Sequence, residues 1–312
     1  MKRNIATLRN LFSFLILTVV LGACQEDIAD IPPQTPGGGG SGGSTGNDPG
    51  HIIDAQYQSC FNVLDTNTLD IVTWNIENFP MEGANSIDLA AEVVRNMYPD
   101  VIAIQELRSQ SDFLALASRL QGYEAAFHNV HLGQDLGFLY KTSEIVQVSE
   151  TSTIYDDDRD AFPRQPVLMT VTHKSGLEVT LINIHLKCCS DGRDRRAAAS
   201  VLLKSYIDTN LPNDNVVLLG DYNDEIFESD DVFANFSNDS FNYKFVDEDI
   251  ARGNSSNWSY PSWPSHLDHI LITNELFDRV VDTQVLKVNV CNSSYPTILS
   301  DHRPVMVRLN AE

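Results

Sequence analysis

The sequence predicts an α+β domain in which sheets pack against each other with helices outside. Three observations carry that expectation. Strand-like runs outnumber helical ones, helical patterns fall between the early strands, and short polar motifs end the apolar runs. In chain order, Leu69–Trp74 reads as a strand from its β-branched content. Ala90, Val93, Val94 and Met97 recur at helical spacing, behind a cap assigned to Ser86. Val101–Ile104 is a short buried strand, and Ser111 is expected to cap a second helix carrying Phe113, Leu114, Ala117 and Leu120 on one side. Gly137–Tyr140, Val167–Val171 and Val179–Ile184 read as strands. Arg193–Asp208 reads as a helix with Ala199, Leu202, Leu203 and Tyr206 inward. Val216–Leu219, Ile270–Ile272, Val280–Val288 and Val305–Val307 complete the strand-rich set.

The leading residues do not fit this pattern. Lys2, Arg3 and Arg9 flank the mostly apolar Leu11–Leu21, which is short of the ~20 residues of a membrane span. The stretch ends in Leu21-Gly22-Ala23-Cys24 and reads as an export signal. That box resembles the lipobox of bacterial lipoproteins, which implies cleavage before Cys24 and lipidation of Cys24; plain secretion is the alternative. Pro32, Pro33, Pro36 and the run Gly37–Ser44 cannot build a core and read as a tether. The expected organisation is a signal peptide over 1–23, lipidated Cys24 and tether over 24–56, and one domain over 57–312. The expected location is the bacterial envelope, lipid-anchored at the outer membrane or cell surface. Gln25-Glu26-Asp27 resembles surface-export signals of some Bacteroidota lipoproteins.

The formal net charge is -22, and the basic leader makes the remainder more acidic still. This argues against tight, phosphate-neutralising nucleic-acid binding and against attraction to anionic membranes. A nuclease whose local site is screened by its cation remains compatible with it. Cys60, Cys188, Cys189 and Cys291 permit disulfides in an exported chain. Adjacent Cys188 and Cys189 are a strained pair to bridge, so Cys60 or Cys291 is expected to bridge to one of them. No spacing suggests zinc.

Six motifs carry the chemistry: Trp74-Asn75-Ile76-Glu77, Gln105-Glu106, Asn183-Ile184-His185, Gly220-Asp221-Tyr222-Asn223, Leu267-Asp268-His269 and Ser300-Asp301-His302. They supply carboxylates, amides and imidazoles, which are ligands for a hard divalent cation and parts of a water-activating site. Four follow strands and two precede them. If the last two strands run antiparallel to the first four, all six motifs meet at one edge. Asp221 and Asn223, two apart, face the same side of an extended segment.

In this order the motifs resemble the endonuclease/exonuclease/phosphatase superfamily, over Leu69 to Leu309. The resemblance implies a four-layer α/β/β/α sandwich of two mainly antiparallel sheets. It also implies a divalent cation, Mg²⁺ with Mn²⁺ as the alternative, and hydrolysis of a phosphoester by water. It makes Glu106 the principal metal ligand, with Asn75 nearby and Asp301 as an outer contact. Asp221 orients or deprotonates the water or holds a second metal, and Asn223 donates to a phosphoryl oxygen. Asp268 fixes His302, which stabilises the phosphorane charge or acts as base. His185 protonates the leaving oxygen; apurinic endonucleases normally lack it. In the deoxyribonuclease branch a Glu supports that His, and Gln134-Asp135 occupies the comparable place. Arg164, in Phe162-Pro163-Arg164-Gln165-Pro166, is the phosphate-binding candidate, with Glu77 also near the substrate. Arg193, Arg195 and Arg196 form either a basic lip or a solvated helix face. Trp263 is either an aromatic wall or core, and Trp74 is core. His51, His128, His131, His173, His266 and His269 read as structural or solvated.

The resulting expectation is an exported, metal-dependent phosphoester hydrolase, nuclease-like or phosphodiesterase-like, and monomeric. Its substrate is a nucleic acid or a small phosphodiester or monoester, and it meets the membrane only through its anchor. A small-molecule or lipid-headgroup phosphatase is the alternative, and a non-catalytic surface binding lipoprotein is the third reading. The motifs do not choose among substrates.

Overall fold

Alternating burial builds the strands, and the two faces of each strand feed different cores. The computed structural model describes residues 51–61, 67–130, 133–227 and 231–312. The leader, Cys24, the tether up to residue 50 and His131 lie outside the described residues. In chain order the described elements are β1 (Thr68–Phe79), α1 (Ala84–Met97), β2 (Val101–Leu107), α2 (Gln110–Ser118), β3 (Tyr123–His128), β4 (Asp135–Lys141), β5 (Ile145–Val148) and β6 (Ser152–Thr153). They continue with β7 (Val167–His173), β8 (Glu178–His185), α3 (Arg193–Asn210), β9 (Val216–Asp221), β10 (Tyr243–Phe245), β11 (Asp268–Thr273), β12 (Val280–Val285) and β13 (Val305–Asn310). One-turn helices fill the remaining connections.

Two mixed, mainly antiparallel sheets result. One has the order β12-β13-β1-β2-β4-β3 and the other β10-β11-β9-β8-β7-β5, with β6 on β7. Each contains one parallel pair, β1 with β2 and β8 with β9. β13 runs antiparallel to β1, and β11 antiparallel to β9. The condition for convergence of the six motifs at one edge is therefore met.

Three apolar clusters alternate with the layers. On β1, Ile71 faces the second sheet, while Val72, Trp74 and Ile76 face α1. On β9, Val217 and Leu219 face the first sheet, and Leu218 faces α3 through Ala199 and Leu203. This is the α/β/β/α sandwich, and period-two alternation produces it. Between the sheets lies a polar staple. Gln105 Nε2 donates to Asn183 Oδ1 at 2.8 Å, and Asn183 Nδ2 donates to the carbonyls of Ile104 and Gly137. All three bonds are buried, so they fix the sheets' relative register where apolar contact alone would let them slide.

Several local expectations need correction. α1 starts at Ala84, so Ser86 lies inside it; its Oγ accepts from Glu82 N and donates to Ile298 O instead of capping. Ser109, not Ser111, caps α2 by accepting from Asp112 N. Leu114 is 47 % exposed, and Phe113 and Leu116 face inward. The strand expected over 280–288 stops at Val285, and a helical turn begins at Val288. The disulfide joins Cys60 to Cys291 and leaves Cys188 and Cys189 as thiols. Its Cα atoms are 6.3 Å apart, and it ties the segment before β1 to the turn after β12. That segment contacts the domain already at Asp54, whose amide donates to Asn96 Oδ1.

Candidate active site

The site begins where the first sheet breaks its regular pairing. β1 bulges between Asn75 and Phe79, with Glu77 and Asn78 both at positive φ. β2 shifts register between Ile104 and Leu107, and Glu106 sits at φ 65. Asn223, after β9, is a further non-glycine residue at positive φ. Left-handed backbone at non-glycine residues is costly and clusters where side chains must be re-aimed. Gly220 is required for a different reason. At φ 148 a Cβ there would lie 2.0 Å from Ile184 O, so only glycine lets β9 approach β8 just before Asp221.

These bends bring Glu106, Asn75, Asp221 and His185 together. Asn75 Nδ2 donates to Glu106 Oε1 at 3.1 Å and to Asp221 Oδ2 at 2.9 Å. Its Oδ1 accepts from Glu77 N, so Asn75 bridges the two carboxylates and its amide oxygen is turned away from them. Glu106 Oε2 accepts from Asn78 N. His185 Nε2 lies 3.6 Å from Glu106 Oε1 and 3.5 Å from Asp221 Oδ2. Burial, with Arg164 and His302 adding positive charge, holds His185 well below the usual imidazole range. These contacts are thus polar contacts of a neutral ring, and His185 Nδ1 is buried without a partner.

Opposite stands the Asp268–His302 pair. Asp268 opens β11 beside Asp221, and its Oδ2 lies 2.7 Å from His302 Nδ1. Burial alone would lower His302, but Asp268, helped by Asp221 and Asp301, raises it to about 10, so the ring is an imidazolium. Ser300 Oγ donates to Asn75 O and accepts from His302 N, while Tyr295 OH accepts from Trp74 Nε1 and donates to His302 O. Tyr295 was not legible as a site residue, because its link to His302 runs through backbone. Asp221 is pushed up to about 7 by burial; Asp268 adds to this, against the charge of His302 and hydrogen bonds from Asn75 and Asn223 N.

The remaining candidates form the rim. Arg164 donates to Gln134 Oε1 and to the carbonyls of His185 and Leu186. Its guanidinium is thereby held among neutral oxygens, in the field of Glu106 and Asp221. Asp135 accepts from Val130 N and Asn129 Nδ2, so it braces a turn and does not support His185. Asp301 is drawn toward Glu77, whose Oε2 accepts from Asp301 N. Burial and then the charge of Asp301 raise the Glu77 carboxyl. Arg196 is buried on Asp224 and Arg195 donates to the carbonyls of Arg159 and Asp160, so these two arginines form no free lip. Trp263 is 78 % exposed rather than core. With Tyr260, Glu77, Glu106, Asn223 and His302 it lines a cleft of about 520 Å³.

The donor set suits a hard divalent cation. Donor atoms of Glu106, His185 and Asp221 lie within 4.8 Å of one another; those of Asp221, Asp268 and His302 do too, but His302 as an imidazolium has no lone pair for a cation. Asp268 Oδ1 is buried without a partner, and Asp221, raised by its burial and further by Asp268 beside it, is a carboxylate whose charge a cation would relieve. A third cluster, Asp247, His266 and His269, lies on the opposite face of β11. There Asp247 Oδ2 meets His266 Nε2 at 3.0 Å and His269 Nδ1 at 2.6 Å. His266 Nδ1 accepts from Ser259 N, and His269 Nε2 donates to Asp224 O.

The profile of the Endonuclease/Exonuclease/phosphatase family matches residues 72–302. No curated protein matches the sequence. Among solved structures, a humanized zebrafish (D. rerio) TDP2 carrying 14 mutations superposes with TM-score 0.62 at 16% identity, over 78% of this chain and 100% of its own. The human Nocturnin catalytic domain with bound sulfate gives 0.60 at 17%, over 77% and 93%. An endonuclease/exonuclease/phosphatase from Bacteroides vulgatus gives 0.60 at 18%, over 78% and 99%. At such identities the likeness establishes the shared fold.

Proposed function

The chain belongs to the endonuclease/exonuclease/phosphatase family, and from that premise we propose that it is an exported, metal-dependent phosphoester hydrolase acting by in-line attack of water. The observation that carries this reading is the meeting, at one sheet edge, of a carboxylate pair bridged by Asn75 with an imidazolium paired to Asp268. A hard divalent cation, Mg²⁺ or Mn²⁺, held by Glu106 with Asp221 and with Asp301 further out, would supply charge stabilisation at the phosphoryl oxygens. Asp221, once ionised, accepts the proton of the attacking water. Asn223, whose backbone N–H donates to Asp221 Oδ1 and whose Nδ2 donates to Leu186 O, aligns water and phosphate. The His302 imidazolium, locked by Asp268, stabilises charge that builds on the phosphorane. His185 is neutral in the free protein and donates from Nε2 toward the leaving oxygen. An incoming anionic phosphate raises its proton affinity, the condition for full transfer. Arg164 offers the phosphate a guanidinium already oriented by neutral carbonyls.

The Cys60–Cys291 bridge supports an exported reading, because such bonds persist in oxidising compartments. A lipid anchor at Cys24 is part of the proposal. Metabolic labelling with a palmitate analogue, abolished in Cys24→Ala, checks it. The zebrafish TDP2 that shares this fold has been seen with a single-strand DNA product, so nucleic acid heads the substrate panel. The test is hydrolysis by the purified chain with Mg²⁺, Mn²⁺ or EDTA. The substrates are plasmid DNA, RNA, bis-nitrophenyl phosphate, inositol phosphates and sphingomyelin. Metal-dependent nicking lost in His185→Ala supports a nuclease, and turnover of small esters alone supports a phosphatase. Silence across the panel overturns the hydrolase reading.

A further inference from the structure

The wall of the cleft carries two sulfurs that the proposed hydrolysis does not use. Cys188 and Cys189 line it beside Glu106, Asn223 and His302. Their Sγ atoms are 2.7 Å apart, well inside non-bonded contact. Cys189 is exposed, and Lys187 Nζ lies 3.7 Å from Cys188 Sγ.

The backbone beneath them is built to hold this arrangement. The Arg196 guanidinium donates from Nη1 to Lys187 O at 2.8 Å and to Cys189 O at 2.9 Å, gripping the dipeptide from both sides. Its Nε is anchored on Asp224 at 2.7 Å. Gly192 N donates a third bond, to Cys189 O. A Cβ on Gly192 would lie 2.6 Å from Lys187 O and 2.8 Å from Arg196 Nη1, so the clamp exists because residue 192 has no side chain. Cys189 itself is held at φ 71, a left-handed conformation that costs a non-glycine residue energy. The outcome of that strain is that adjacent side chains, which in a strand would diverge, present their sulfurs to each other.

We infer that Cys188 and Cys189 form a redox-modifiable vicinal dithiol that closes to a disulfide in the cleft wall, taking a small disulfide as its oxidant. The steps balance as thiol–disulfide exchange. The exposed Cys189 sulfur, whose thiol donates to Cys188 Sγ and is raised by that bond, once deprotonated attacks a low-molecular-weight disulfide, releases one thiol and carries the other half as a mixed disulfide. Cys188 sulfur then attacks Cys189 Sγ and expels the second thiol. Two protein thiols become one disulfide, the small disulfide becomes two thiols, and two electrons pass to it. Neighbouring Cα atoms are about 3.8 Å apart, below the roughly 4.4–6.8 Å that bridges usually span. The closed ring is therefore strained and easily reduced. The chain thus holds two kinds of sulfur pair: a distant one, Cys60–Cys291, that persists, and an adjacent one that cycles.

The test uses the full chain with glutathione disulfide, followed by alkylation, digestion and mass spectrometry. The peptide bearing Cys188 and Cys189 is expected to lose two hydrogens and take no alkyl group. Brief, dilute dithiothreitol is expected to restore both alkylations there while Cys60 and Cys291 stay bridged. Cys189→Ser, a change at an exposed position, is expected to give a single glutathione adduct on Cys188 and no hydrogen loss. Two separate glutathione adducts in the native chain, both thiols still alkylated after oxidation, or a bridge from either sulfur to another cysteine would each overturn the inference. None of these readouts depends on hydrolysis, so they stand apart from the proposed activity.

Discussion

Asp268 and His269 are neighbours on β11, yet each anchors a buried carboxylate–imidazole arrangement on the opposite face of the same strand. The residue types are nearly identical, and the difference lies in what each arrangement leaves over. Around Asp247 every polar atom is answered. Oδ1 accepts from Ile270 N, Oδ2 receives both rings, His266 Nδ1 accepts from Ser259 N, and His269 Nε2 reaches Asp224 O. For His266 Nε2 to bind a cation, the ring would have to give up its proton while Nδ1 still accepts one, leaving an imidazolate. The cluster is therefore a closed brace, with its charge held internally: burial would raise Asp247, but His269 and His266 hold it far below the carboxylate range. Around Asp268 the answers are incomplete. Oδ1 has no partner, and His302 Nε2 lies 3.9 Å from Asp301 Oδ1 in a cleft wall. Proximity of acids and imidazoles thus does not identify a reactive site; unanswered atoms facing a cleft do.

The contrast can be broken by exchanging its two halves. His302→Ala should cut phosphoester turnover by about 10²–10⁴-fold, since its loss removes stabilisation of the transition state, and should also lower the melting transition, since it leaves Asp268 buried without its cation. Steady-state kinetics beside calorimetry check this, and unchanged turnover would sink the assignment. His269→Ala should spare the rate per folded molecule and act on stability alone. It leaves Asp247 buried without its cation and should lower stability by roughly 3–5 kcal/mol by denaturant titration. A rate defect in a variant as stable as the native chain would make His269 part of the chemistry.

Asp221→Asn sharpens the point from the side of the open site. The folded pKa of Asp221 is raised to about 7, so folding loses stability as pH rises from the ordinary carboxylate range through 7. Removing that charge should raise stability by about 1–2 kcal/mol at pH 8 in EDTA, while abolishing turnover. A destabilised variant would mean that Asp221 is held by more than the contacts described. The smallest effect concerns pH. His302 is raised to about 10, so the stabilisation from its pairing with Asp268 is complete below the unfolded value near ~6.5 and is lost as pH rises through about 10. The pH–rate profile should therefore show no alkaline decline until about 10. A decline near neutrality would show that His302 titrates as an ordinary imidazole.

The open half of this comparison was legible in sequence, and of the closed half only the structural character of its histidines was. The six motifs announce themselves because each sits at one end of an apolar run, and strand direction then forces them to one edge. His266 and His269 read only as structural, because their partner Asp247 lies some twenty residues away in a stretch with no periodic pattern. Tyr123–His128 and Ile145–Val148 escaped notice as edge strands, since their outer residues are polar or half-exposed and the alternation is weak. The cap of α2 was misplaced by two residues because Ser109 and Ser111 offer the same hydroxyl, and only backbone angle distinguishes them. The bridge between Cys60 and Cys291 spans 231 residues, and no spacing rule reaches that far.

β1 lies between β2 and β13 in its sheet. The first described strand thus pairs with one more than 220 residues later, and a chain halted before Val305 would leave one side of β1 an unpaired edge in the middle of what should be a sheet. Such a nascent chain also lacks the strand that seats His302. Folding of the domain therefore turns on one long-range pairing: docking of β13 on β1 closes the sheet and seats His302 at the cleft in one event.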